Sequence, residues 1–350
     1  MDKISIIGLD LAKQVFQVHA ADERGRCVLR KQLKRAEVLR FFAKLAPCVV
    51  AMEACGTAHY WAREIAKTGH EMRLVPPAYV KPYVKRGKND AIDAEAICEA
   101  ASRPTMRFVP VKSMEQQAIA MQHRSRDLLI KNRTMLVNSL RGHLAEFGFI
   151  AGKGISKLPD LIKIVSEAPA AALPDMVRAA LSGLLDAIAL LNVQLAAIEK
   201  RLLAWHRASA QSQRLETVPG IGLMSATALS ALVPDASLFK NGRHFAAWLG
   251  LVPKQDGTGG KTRLGRISKA GDRYLRRLLV LGATSLLHSL ANKSTPLALW
   301  AQGLLARRSK RAVTVALANK LARIVWAVMA RAEAYKALQP GQIAAQAACP

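Results

Sequence analysis

The spacing of apolar side chains changes once along this chain, near residue 113, and that change limits what it can fold into. Before it, short apolar runs stop at charged or turn-forming residues: ISIIGLD (4–10), VFQVHA (15–20), CVLRKQL (27–33), CVVAME (48–53) and EMRLVPP (71–77). Helix-like stretches at 37–46 and 58–68 lie between them. Strands alternating with helices in this order predict an α/β sheet. After the change the period is helical. Residues 114–147 carry Met114, Ala118, Met121, Leu128, Met135, Leu140, Leu144 and Phe147 at helical spacing. Leu181, Leu184, Ile188, Leu191, Leu195, Ile198, Leu202 and Trp205 then step by three and four in alternation, a sustained heptad seam. The seam can be closed by 114–147 of the same chain or by a second protomer. A Gly/Pro-containing break is expected over 148–174. A third, mainly helical part follows from 214, with VPGIG (218–222), an Ala-rich helix, and helices at 243–251, 272–291 and 312–335. The expected boundaries are 1–110, 111–213 and 214–336, with 337–350 a frayed tail.

Charge narrows the partner. The 350 residues hold 52 Lys and Arg against 25 Asp and Glu, a formal net charge of +27. Such an excess opposes compaction and attracts polyanions, which points to nucleic acid. Cysteines 27, 48, 55, 98 and 349 form no C-x-x-C, so disulfides are not expected and a reducing cytoplasm fits. None of the eight histidines has metal-ligand spacing. No uncharged apolar run approaches the ~18 residues needed to cross a bilayer, so no membrane partner is expected.

Acids are scarce here, so their positions carry weight. Asp10 and Glu53 each end an expected strand, and neighbouring strands would bring both carboxylates to one edge of the sheet, where open α/β sheets bind ligands. In KNDAIDAEAI (88–97) a helix begins, with Asn89 a candidate cap, and Asp90 and Asp93 share one face, their Cβ atoms about 5–6 Å apart. Four converging carboxylates repel one another unless they hold a divalent cation, and Mg²⁺ suits oxygen ligands. Taken singly, each acid also reads as a turn residue or a first-turn acid facing the helix dipole. Lys85, Arg86 and Lys88 flank the pair and suit a phosphate backbone.

A hydroxyl stands apart from these acids. In QDGTGGKTRLGRISKAG (255–271), Thr258 sits among Gly257, Gly259 and Gly260 in what reads as a flexible loop. Lys261, Arg263, Arg266, Lys269, Arg273, Arg276 and Arg277 follow, seven cations against the single acid Asp272. An arginine fork can grip two phosphate oxygens. VPGIG reads either as a phosphate-gripping helix-hairpin-helix turn or as a plain linker. RRSKR (307–311) reads as an RNA contact or a solvated loop.

GLDLAK, AMEACGTAHYW, KNDAIDAEAI, VPGIG and LGRISKAGDRYLRRLLVLGA occur in that order over about residues 4–335. Together they resemble the DEDD transposases of bacterial insertion sequences, the bridge-RNA-guided recombinases. The resemblance implies an α/β RuvC-like domain of the RNase H fold, a helical coiled-coil middle and a mainly α C-terminal domain carrying a serine nucleophile. It implies Mg²⁺ held by Asp10, Glu53, Asp90 and Asp93, and strand exchange by transesterification. It also implies donor and target DNA, a structured guide RNA, and a dimer or tetramer whose site joins the acids of one protomer to the nucleophile loop of another. Where the family has serine, this chain has Thr258. Thr258 then serves as nucleophile, Ser268 replaces it, or the copy is slow or dead. The β-branch crowds the oxygen, and the flanking glycines give the backbone room.

Other functions use the same residues. An actin-like kinase shares this type of core, but the charge and the lack of an early Gly-Gly-Thr phosphate loop oppose it. A RuvC-like nuclease would hydrolyse DNA with water and ignore Thr258. A non-catalytic nucleic-acid scaffold would need neither the acids nor Thr258.

Overall fold

A computed structural model describes residues 3–84, 90–233, 235–259 and 261–336. The chain divides into two compact units, Met1–Met114 and Glu115–Pro350.

The first unit is built on one mixed sheet. Ile6–Asp10 (β1) pairs antiparallel with Val15–Ala21 (β2), which pairs antiparallel with Cys27–Lys34 (β3). After the short helix Val38–Phe42 (α1), Val49–Glu53 (β4) lies parallel to β1. Ala58–Ala66 (α2) then leads to Glu71–Val75 (β5), parallel to β4, so the strand order is β3-β2-β1-β4-β5. Strand side chains alternate between faces, and so do the two layers packed on the sheet. Ile7, Leu9, Val50 and Met52 face α1 and α2, meeting Phe42, Trp61 and Ile65. Ile6, Ala51 and Val75 face the other way, toward Pro77–Val80 (α3) and Asp90–Ala101 (α4), where Ile97 and Ala100 are buried. The helix expected over 37–46 is shorter than its pattern. Lys44 and Leu45 donate to carbonyls three residues back, closing the last turn before Pro47.

Among the described residues the second unit is helical apart from one hairpin. Met114–Glu146 (α5) and Asp175–Ala208 (α7) run antiparallel: Glu115 meets Trp205, Arg126 meets Glu199 and Arg133 meets Asn192. The heptad seam of α7 closes within the chain, with Leu181, Ile188, Leu195, Ile198 and Leu202 buried. On α5 the outcome differs from the expectation. Met114, Ala118, Met121, Leu128, Met135 and Phe147 are exposed, while Ile119, Val137, Leu140 and Leu144 face inward. This helix carries two apolar stripes, and the polar pairs to α7 fix which one turns inward. The expected break at 148–174 contains Leu158–Glu167 (α6), whose Leu161 and Val165 join the same core.

Beyond α7 come Ala210–Glu216 (α8), Leu223–Leu232 (α9), Gly242–Trp248 (α10), the hairpin Pro253–Thr258 (β6) and Lys261–Ile267 (β7), then Arg273–Ser289 (α11), Pro296–Leu305 (α12) and Lys310–Arg331 (α13). α12 was not legible in the pattern, being short and apolar nearly all round. Val218 and Ile221 of VPGIG anchor the turn in the core around α11 and α13. Among the described residues two helices, α7 and α13, are long and apolar enough to cross a membrane by length and composition. Each turns an apolar stripe into the bundle instead, Val313, Leu317, Leu321 and Val325 in the case of α13.

Candidate active site

Asp10 and Glu53 end neighbouring parallel strands. The β1–β4 register pairs Leu9 with Met52, and the two acids are the next residues along, at the same sheet edge. Both are half-buried. Asp93, in the first turn of α4, joins them because Gly8 lets that helix lie directly on β1. A Cβ on Gly8 would stand 2.1 Å from the Ala94 carbonyl oxygen and 2.8 Å from the Cys98 Cβ, both impossible contacts. The sheet therefore fixes the position of Asp93 through the residue beside it.

The electrostatics give the same grouping. Burial raises the Glu53 carboxyl above its usual range, and the charge of Asp93 raises it further. The exposed Cys55 thiol is likewise raised, first by burial of its sulfur, then by the charges of Glu53 and Asp10. Three acids and one thiol thus share one negative field, a frequent mark of a functional cleft. Asp90 opens α4, but its side chain lies outside the described residues, as do Lys85, Arg86, Lys88 and the Asn89 cap.

Among the described residues no three His, Cys, Asp or Glu side chains are grouped closely enough to hold a metal ion. The donors nevertheless suit one in kind. Asp10, Glu53 and Asp93 offer hard oxygens at one sheet edge within a shared negative field, which a divalent cation would offset. Asp90 would be the fourth such donor.

The hydroxyl sits on a ribbon, not in the flexible loop that the glycines suggested. Thr258 is the last residue of β6 and pairs across the hairpin with Lys261. Gly259 has φ +56°, the left-handed backbone that two-residue hairpin turns demand. Asp256 pairs with Arg263, and the two-residue period puts Thr258, Lys261, Asp256 and Arg263 on one face. Every residue of β6 is exposed, and so is Leu264. The ribbon escaped the sequence pattern because neither strand buries a face. Ser268 follows the base of the ribbon, where its amide bonds the Val252 carbonyl. Seven strand residues separate it from the tip, roughly 20 Å.

The cations after the ribbon divide in two. Lys261, Arg263, Arg266, Lys269 and Arg273 are exposed or half-buried on the ribbon and the start of α11. Arg276 instead turns inward, donating to the carbonyls of Leu249 and Ala270 at 3.0 Å each. Arg277 pairs with Asp127 of α5 and stacks on the Tyr274 ring. One turn back on α5, the buried His123 Nδ1 meets the Tyr274 hydroxyl at 2.9 Å, and its Nε2 meets the Thr227 hydroxyl at 3.0 Å. Thr227 donates its own proton to the Leu223 carbonyl, so the imidazole donates from Nε2 and accepts the Tyr274 proton at Nδ1. Burial holds His123 neutral, with its pKa lowered to about 4. In this structure Arg276 and Arg277 moor the ribbon's base and α5 to α11. His123 gave no signal in the sequence, being one polar residue on a mixed helix face.

A family model described as a transposase, of the DEDD class of IS110 elements, matches residues 7–149. A second, described as a transposase of the IS116/IS110/IS902 family, matches residues 212–295. The chain is 53% identical over 334 residues to a probable family 20 transposase of Pseudomonas aeruginosa, covering 95% of this chain and 99% of that protein. It is 42% identical to the transposase for insertion sequence element IS1328 of Yersinia enterocolitica (94% and 97% covered). It is 39% identical to the transposase for element IS1111A of Coxiella burnetii (96% and 92% covered).

Proposed function

This chain belongs to the IS116/IS110/IS902 family of insertion-sequence transposases, and from that premise we propose that it exchanges DNA strands by transesterification, with Thr258 as nucleophile and magnesium held by Asp10, Glu53, Asp90 and Asp93. The observation that carries the reading is the shared field of Asp10, Glu53 and Asp93 at one sheet edge. The strand order with α4 on one face favours a RuvC-like assignment for the first unit.

In the forward step the Thr258 oxygen forms a bond to a DNA phosphorus, and a phosphorus–oxygen bond of the DNA backbone breaks. The Thr258 proton ends on the departing DNA oxygen. In the second step a DNA hydroxyl attacks the threonyl phosphodiester and returns the proton and the free hydroxyl to Thr258. No bond energy is lost to water between the steps. Magnesium, when bound, would offset negative charge on the phosphate oxygens and make the hydroxyl a stronger acid. Lys261 and Arg263, on the same ribbon face as Thr258, hold the phosphate being attacked. Arg266, Lys269 and Arg273 hold flanking phosphates, and Lys85, Arg86 and Lys88 the backbone beside the acids.

A structured guide RNA beside donor and target DNA belongs to the same reading, supported by the +27 charge and the family likeness. So does a dimer or tetramer. With the α7 seam closed internally, the exposed stripe Met121, Leu128 and Met135, stepping by seven along α5, remains for a second copy. The test is strand exchange on donor and target substrates with the guide RNA supplied. Asp10→Asn and Asp93→Asn should each abolish exchange and leave DNA binding in place; exchange retained by both overturns the metal assignment.

A further inference from the structure

Helix α13 carries a partly exposed stripe at the edge of its core-facing side. Lys320, Ile324, Ala327 and Arg331 form a stripe along it, flanking the buried Val313, Leu317, Leu321 and Val325, with Ile324 itself resting on the core. This stripe walls a hollow of about 770 Å³. Leu290 of the α11 end, Leu297 of α12 and Tyr335 beyond α13 supply its apolar lining. A second hollow, of about 470 Å³, shares Lys320, Ile324 and Ala327 with the first and adds Arg243 and Arg323. The two adjoin as one groove along the helix. From Lys320 to Arg331 the axis runs about 16 Å.

The groove is strongly cationic. Lys293, Lys320, Arg331 and Lys336 line the larger hollow, against Glu333 as its one acid. Among the described residues none of these cations forms a salt bridge. The Lys320 ammonium lies 4.4 Å from the centre of the Trp300 ring. Burial of the ammonium, and then the neighbouring charge of Arg323, lower its pKa. A half-buried cation held in the field of another cation gains by meeting an anion. No residue of the sheet edge or of the Thr258 ribbon lines either hollow.

We propose that the α13 groove is a binding site for single-stranded nucleic acid, separate from the acids and from the ribbon. Charge complementarity selects a polyanion, and the apolar and aromatic lining selects one with unpaired bases. Single strands are gripped in this way, with phosphates along a cationic rim and bases on aromatic and apolar surface. A duplex keeps its bases stacked inside and could use only the rim. A single strand brings a flat ring with every phosphate, a regular alternation that an acidic peptide lacks, and this suits cations beside the lining of Leu290, Ile324 and Tyr335.

The experiment uses the full chain and a fluorescein-labelled oligo-dT of about 20 nucleotides, with affinity measured by anisotropy across a salt series. Lys320→Gln combined with Arg331→Gln should reduce the slope of log affinity against log salt by about 1.4, two contacts at about 0.7 each. Affinity should fall about tenfold or more, and Lys320→Arg with Arg331→Lys should restore most of it. A folded Gln variant with unchanged slope and affinity overturns the proposal, as does a loss confined to duplex DNA. If the Gln variant does not fold, the wild-type chain is cross-linked to 4-thiothymidine oligo-dT and the joined peptides are mapped. Links to the peptides of Trp300 or Tyr335 sustain the site, and links confined to the 253–267 ribbon overturn it.

Discussion

Thr258 stands directly across the hairpin from Lys261, the last pair before the turn. Backbone register thereby puts a lysine and the threonine on one face of the ribbon as cross-strand neighbours. The pairing of Asp256 with Arg263 two pairs below extends the same face. Cross-strand pairs are the unit that stabilises a ribbon, and this one is exposed all along β6 and meets the core through Ile267 at its base.

Thr258→Ala should therefore remove any covalent protein–DNA adduct, while Thr258→Ser keeps or increases it by relieving the β-branch. Lys261→Ala should slow adduct formation on the order of tenfold to a hundredfold with little loss of DNA binding. Denaturing gels of the adduct distinguish the outcomes. Cleavage by Thr258→Ala at the wild-type rate would assign the chemistry to water.

Gly8→Ala changes no acid, yet it should disable the site. The added methyl would meet the Ala94 carbonyl, so α4 must lift and carry Asp93 away from Glu53. A cost of about 1–3 kcal/mol to the first unit is expected from such overpacking, visible as a lower melting temperature. Strand exchange should fall at least a hundredfold; exchange within twofold of wild type would refute the coupling.

Cys55 is a built-in reporter of the acidic field. Its thiol is raised in part by the charges of Glu53 and Asp10. A divalent cation bound there would cancel that part, so the thiolate fraction near pH 8 should rise. Alkylation of Cys55, followed by peptide mass spectrometry, should accelerate severalfold on adding magnesium and lose this response in Asp10→Asn. Cys98, buried and raised to about 11, should stay unreactive throughout. A Cys55 rate indifferent to magnesium would count against a cation at this edge.

His123 makes the second unit sensitive to acid. Its pKa is about 4 in the folded chain and near 6.5 when unfolded. The unfolded chain binds the extra proton, so this contribution to stability is complete above pH 6.5 and is lost as pH falls toward 4, by up to roughly 3 kcal/mol. The stability gap between wild type and His123→Gln in urea titrations should shrink between pH 7 and pH 4.5. A gap that stays constant would mean that His123 titrates normally.

Local pattern was enough for the strands and for the seam. β1, β4 and β5 each announce themselves by an apolar run stopped at an acid or at proline, and α7 by steps of three and four. The same chain order placed Asp10 and Glu53 at strand ends, because a strand's last residue is fixed by where its burial stops. Three things needed the tertiary structure. Which stripe of α5 turns inward depends on its partner, so Ile119 and Leu140 are buried and Met121 and Leu128 are not. The ribbon of Thr258 has no buried face, so no periodicity could mark it, and only pairing across the turn defines it. The grouping of Asp93 with Glu53 rests on a helix backbone in contact with Gly8 more than eighty residues earlier in the chain. Burial leaves its record in the order of side chains along one segment, but the approach of two distant segments is set by packing between them.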